Sequence, residues 1–118
     1  MLVEDKINRL LGDAKAPSGV KQSSYLKSIL KDKDKKAMMG KLEGMLKSVA
    51  SKYKNALMLS ATNIEGEPYV SLGDTPKPDS GLVKDVEAAV KKAGFALGKK
   101  AYNQRGNRFE IMFGDALR

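Results

Sequence analysis

Residues 80–115 read SGLVKDVEAAVKKAGFALGKKAYNQRGNRFEIMFGD, and the change of period inside this stretch decides the fold. Leu82, Val83, Val86, Ala89, Val90 and Ala93 recur at the 3.6-residue spacing of a helix with one apolar stripe. Lys84, Asp85, Glu87, Lys91 and Lys92 fill its other face. Asp79 or Ser80 is placed to accept a free N–H at the helix start. Lys91 and Lys92 suit the negative C-terminal end, and Gly94 supplies a left-handed stop. After Gly94 the period drops to two. Phe109, Ile111 and Phe113 alternate with Arg108, Glu110 and Met112, as in a half-buried strand. Phe95 and Leu97 begin a weaker strand over residues 95–102, and residues 103–107 make a hairpin turn.

Upstream, residues 56–62 are nearly all apolar and read as a buried strand. Residues 63–67 form a turn. Pro68 restricts its position to an edge or a strand start, and Tyr69 to Leu72 return. A long helix is expected from about Lys35 to Lys54, with Met38, Leu42, Met45, Leu46, Val49 and Tyr53 as its stripe. Gly40 and Gly44 weaken it by ~1 kcal/mol each relative to Ala. Before it, Ser23 or Ser24 caps a short helix ending near Leu30, and Asp32 or Asp34 caps the long one. Residues 2–11 read as a further helix through Leu2, Val3, Ile7, Leu10 and Leu11, followed by a loop over residues 12–19. The expected architecture is α+β: a mainly antiparallel sheet of two hairpins, helices packed on one face, order ααα-ββ-α-ββ. One domain is expected over residues 1–118, with a helical N-terminal part (1–34) and an α-ββ-α-ββ core (35–118).

Composition removes several classes of chemistry. The 118 residues include no cysteine and no histidine. Disulfides, thiolate metal sites and every Ser-His or Cys-His triad are thereby excluded. No metal and no cofactor are expected. No apolar run reaches bilayer length, and Met1 to Asp5 lack the layout of a secretory signal, so a cytoplasmic protein with no membrane association is expected.

The net charge of +8 is unevenly distributed. Residues 21–54 carry ten basic and three acidic side chains, and residues 91–118 carry seven and two. Residues 55–90 between them carry two basic and six acidic. Two positive blocks around an acidic segment suit a polyanionic partner, through phosphate neutralisation and counterion release. Eighteen of the twenty-two basic residues are lysine, which equally suits a solvated surface, because arginine is preferred for bidentate phosphate contacts.

The sharpest candidate phosphate contact is Gly98, Lys99 and Lys100 with Arg105 and Arg108 beyond the turn. Glycine admits close backbone approach, and clustered cations neutralise phosphate. Tyr102 is placed to stack on an unpaired base. The plain alternative is a solvated hairpin whose charged edge resists aggregation. A second basic patch comprises Lys31, Lys33, Lys35, Lys36 and Lys41, diluted by Asp32 and Asp34. Catalysis would have to rest on Glu65, Glu67, Asp74, Asp79 and Glu110 binding magnesium for phosphodiester hydrolysis. Their spacing matches no nuclease pattern, and a non-enzymatic protein is expected.

From about Lys36 onward the order of parts resembles the C-terminal, DHH-associated domain of alanyl-tRNA synthetases. Gly40 to Leu46 lead into the apolar strand from Ala56 to Ser60, then a glycine-containing turn, a second strand and the Leu82-Val83-Lys84-Asp85-Val86 helix. In that family the glycine-rich segment after this helix contacts tRNA, and the resemblance implies the same for this chain. The family's dense glycine run is reduced here to Gly94 and Gly98. The sequence therefore points to a small basic nucleic-acid-binding domain acting through its C-terminal hairpin, RNA ahead of DNA. The alternative is a protein-interaction or regulatory module, such as a phage or host accessory factor, docking an acidic protein partner.

Overall fold

A computed structural model describes residues 19–118 of the chain. In chain order the elements are β1 (Gly19–Gln22), α1 (Ser24–Ile29), α2 (Lys33–Tyr53), β2 (Ala56–Ala61), β3 (Pro68–Ser71), α3 (Ser80–Lys92), β4 (Leu97–Asn103) and β5 (Arg108–Phe113). The helix expected over residues 2–11 lies outside the described residues.

The helix ends follow their local chemistry. The side chains of Ser23, Asp32 and Asp79 cap α1, α2 and α3 by accepting from Leu26 N, Asp34 N and Gly81 N. Gly94, at φ +102°, ends the α3 segment, and Lys54, in the left-handed region, ends α2. Met39, Leu42, Leu46 and Ala50 form the fully buried line of α2. This corrects the expected stripe. Met38, Met45, Val49 and Tyr53 are only half-buried, on the flank of that line. Each fully buried leucine contributes about 1.5–3 kcal/mol, so Leu42 and Leu46 together outweigh the helix penalty of Gly40 and Gly44.

The strands form one sheet in the order β1-β2-β3-β5-β4. β1 runs parallel to β2, and the remaining neighbours are antiparallel. The α+β class holds. The antiparallel sheet of two hairpins is corrected to a mixed five-stranded sheet, and the element order gains a strand before the helices. β1 carries no strand signal in the sequence, because Gly19-Val20-Lys21-Gln22 holds a single apolar residue and Gly19 ends the expected loop. Its parallel pairing is reached through α1 and α2, a crossover that a hairpin does not supply.

Register assigns the two sheet faces. Gln22, Leu59, Val70, Ile111 and Lys100 lie in one row across the strands, and Lys21, Met58, Ser71, Glu110 and Ala101 in the next. The first row faces the helices, where Leu59, Val70 and Ile111 are fully buried with Leu26, Leu42, Leu46, Val86 and Val90. The second row faces away. Among the described residues no helix is long and apolar enough to cross a membrane.

A polar tie links α2 to α3. Asp85 Oδ2 accepts from Lys52 Nζ at 3.1 Å and from the Tyr53 hydroxyl at 3.0 Å. These two hydrogen bonds, Lys52 first, lower the Asp85 pKa from its ordinary 3.8 against a smaller opposing effect of burial. A carboxylate with a lowered folded-state pKa stabilises the fold above its unfolded value, and this is lost as pH falls through the folded value. The urea midpoint of the wild type is expected to fall as pH drops below 3.8, with Asp85→Asn showing a shallower fall over the same range. Parallel curves for the two proteins would show that the tie adds nothing.

Candidate nucleic-acid interface

The β4–β5 hairpin carries all six sequence-predicted contact residues, but the fold divides them. Residues in register share a face, so Lys100, opposite Ile111, and Tyr102, opposite Phe109, lie on the helix side. Lys100 Nζ reaches back to Glu87 Oε2 of α3 at 3.0 Å. The Tyr102 hydroxyl is hydrogen-bonded to the Asn107 side chain, and the residue is half-buried.

Arg108 lies on the opposite face and is held by its neighbours. Its Nε donates to Glu110 Oε2 at 2.8 Å, and its Nη2 donates to the Tyr69 hydroxyl at 3.1 Å. The guanidinium also sits 5.7 Å from the centre of the Tyr69 ring. Burial acts to lower the Arg108 pKa, but Tyr69 and Glu110 together outweigh it and raise the value. Asn103 completes the cluster by donating to Glu110 Oε2 at 3.2 Å. Around it lies a polar hollow of about 200 Å³ lined by Thr62, Asn63, Tyr69, Asn103, Arg108 and Glu110.

Gly98 sits in an irregular part of β4, where the register shifts between Leu97 and Lys100. A Cβ there would lie 3.1 Å from Met112 O and 3.2 Å from Met112 Cβ, so the absent side chain is accounted for by the approach of β5. The shift leaves Lys99 exposed on the face away from the helices, beside a concavity of about 340 Å³ that Glu67, Glu110 and Met112 also line. Arg105 is exposed in the turn, where its backbone N–H donates to Asn103 Oδ1 at 3.1 Å. Among the described residues, Lys99 and Arg105 are the hairpin cations that make no ion pair. Arg118, the remaining arginine of this block, donates to the Tyr25 hydroxyl at 3.0 Å, and its backbone N–H bonds Glu65 O.

The second predicted patch is also divided. Lys31 precedes the Asp32 cap, Lys35 is half-buried, and Lys33, Lys36 and Lys41 are exposed on α2. The carboxylates considered for metal binding are dispersed. Asp79 caps α3, Glu110 binds Arg108, and among the described residues no three acidic side chains gather into a metal site. The Arg108–Glu110 pair was legible beforehand, because residues two apart in a strand share a face. The Lys100–Glu87 pair was not, since it depends on how α3 packs on β4. No family model, no curated protein and no solved structure matches this chain.

Proposed function

We propose that the protein is a non-enzymatic nucleic-acid-binding domain whose C-terminal hairpin contacts the phosphate backbone through Lys99 and Arg105. The observation that carries this reading is the exposure of these two side chains with no ion pair among the described residues, within a segment of net +5. Lys100 and Arg108 each meet a carboxylate of the chain, so their charge is largely neutralised locally. Glu67 lines the neighbouring concavity and its charge opposes a phosphate there, which favours contact along the outer strand and the turn. The resemblance to the tRNA-synthetase domain favours RNA as the ligand.

Binding of labelled tRNA, single-stranded DNA and duplex DNA across a salt series tests this. A Lys99→Gln, Arg105→Gln variant is expected to make the log–log salt slope shallower by about 1.5–2. An unchanged slope in that variant removes the hairpin from the interface. Absence of wild-type binding near physiological salt, with stoichiometric capture of an acidic polypeptide instead, would replace this reading by a protein-docking one.

A further inference from the structure

The outer face of α2 carries more exposed positive charge than the hairpin does. Lys33, Lys36, Lys41 and Lys47 are all exposed on this 21-residue helix, and none makes an ion pair among the described residues. At 1.5 Å per residue they are spread over about 21 Å of helix axis. The two acidic side chains of the helix are placed differently. Glu43 is half-buried and accepts from Gln22 Nε2 of β1 at 2.7 Å. Asp34 is exposed in the first turn, between Lys33 and Lys36, and offsets part of the charge at that end of the helix.

Between the lysines the surface is low. Lys33, Ala37, Gly40, Gly44, Lys47 and Ser51 recur at alternating spacings of four and three, so they form one ridge along the helix. All six are exposed. Among the described residues a Cβ added at Gly40 or Gly44 would meet nothing within 4 Å, so nothing in their packing calls for glycine at either position. Both glycines nonetheless cost helix stability. A rigid partner that comes close to the α2 backbone accounts for both the missing side chains and the cations at either end. The like charge of the lysines opposes pairing of this face with a second copy of itself.

We infer that the outer face of α2 is a second nucleic-acid contact. The phosphate backbone would lie over Gly40 and Gly44, neutralised by Lys33, Lys36, Lys41 and Lys47. This rests on the proposed nucleic-acid-binding function and extends it from the hairpin to the helical layer. Along a duplex there is one negative charge per ~1.7 Å of axis, so the lysine spacing meets phosphates throughout the length of the helix.

The test uses the full chain and labelled duplex and single-stranded RNA and DNA, over a salt series. The variants are Lys33→Gln, Lys36→Gln, Lys41→Gln, Lys47→Gln together; Gly40→Ala, Gly44→Ala together; and the hairpin pair Lys99→Gln, Arg105→Gln. The lysine variant is expected to bind more weakly, with a salt slope shallower by about 3–4. The glycine variant is expected to melt at a higher temperature than wild type yet bind a few-fold more weakly, a combination that charge loss or misfolding does not produce. Wild-type binding with changes confined to the hairpin variant overturns the α2 contact and leaves the proposed function standing. Changes confined to the α2 variants support the helix and remove the hairpin. Equal affinity of wild type for polyglutamate and for nucleic acid overturns the phosphate assignment, and no wild-type binding near physiological salt overturns both.

Discussion

Phe113→Ala is expected to destabilise the fold by about 3–5 kcal/mol, the loss typical of removing a buried aromatic side chain and leaving a cavity. Phe113 is 1% exposed at the end of β5. Its ring meets Phe95 edge to face, with centroids 4.9 Å apart and planes at 68°. That geometry sets the positive ring edge of one against the negative face of the other, adding about 0.5–1.5 kcal/mol beyond burial. Phe95 follows the Gly94 turn, so the pair fastens the exit of α3 to the far end of the hairpin. Leu97, the first residue of β4, lies opposite Phe113 in the same ladder. Losing the ring therefore loosens β4, which carries Lys99, and β5, and with them the turn that carries Arg105. Against a total stability of about 5–15 kcal/mol, the variant should be largely unfolded in moderate urea. Phe113→Leu keeps most of the apolar volume and should cost about 1–2 kcal/mol. Urea denaturation followed by circular dichroism separates the two. A cost below ~1 kcal/mol for the alanine variant would contradict the packing of this end of the sheet.

The same residues show what a sequence discloses and what it leaves hidden. Phe109, Ile111 and Phe113 alternate with polar neighbours, and burial of one face alone requires that pattern, so β5 was found at its observed bounds. The stripe of α3 was legible for the same reason: Leu82, Val86, Ala89, Val90 and Ala93 are all buried. α2 was found as a helix, but its phase was misread, since Met38 and Met39 both fit an apolar stripe. Only packing against the sheet selects Met39 as the deeper residue. β1 lacks an apolar pattern because, of its two residues on the helix side, Val20 packs on the core while Gln22 bonds Glu43 of α2, and backbone pairing does the rest. In the sequence the hairpin cations read as one cluster. The shifted register at Gly98 and the packing of α3 separate them, and neither depends on a local sequence signal.

Arg108→Ala is expected to lower stability by about 2–3 kcal/mol while leaving the salt dependence of nucleic-acid binding unchanged. Two hydrogen bonds are lost, to Glu110 at 2.8 Å and to Tyr69 at 3.1 Å. The groups left behind are poorly hydrated. The Glu110 side chain is 13% exposed and Tyr69 is 5% exposed. A charge left without its partner in such a place costs more than the pair contributed, and Asn103 alone remains to bind Glu110. Removing both charges, in Arg108→Met with Glu110→Gln, should recover much of the loss, and the double-mutant cycle measures the coupling directly. The contrast with Lys99 and Arg105 is the informative part. Their substitution should alter binding and leave the urea midpoint nearly unchanged, because exposed cations without partners contribute little to folding. If Arg108→Ala instead makes the salt slope shallower by about 1 at constant stability, its guanidinium is exchanged between Glu110 and phosphate on binding. Arg108 would then rejoin Lys99 and Arg105 as one interface on the hairpin, with Glu110 competing for the cation that the nucleic acid recruits.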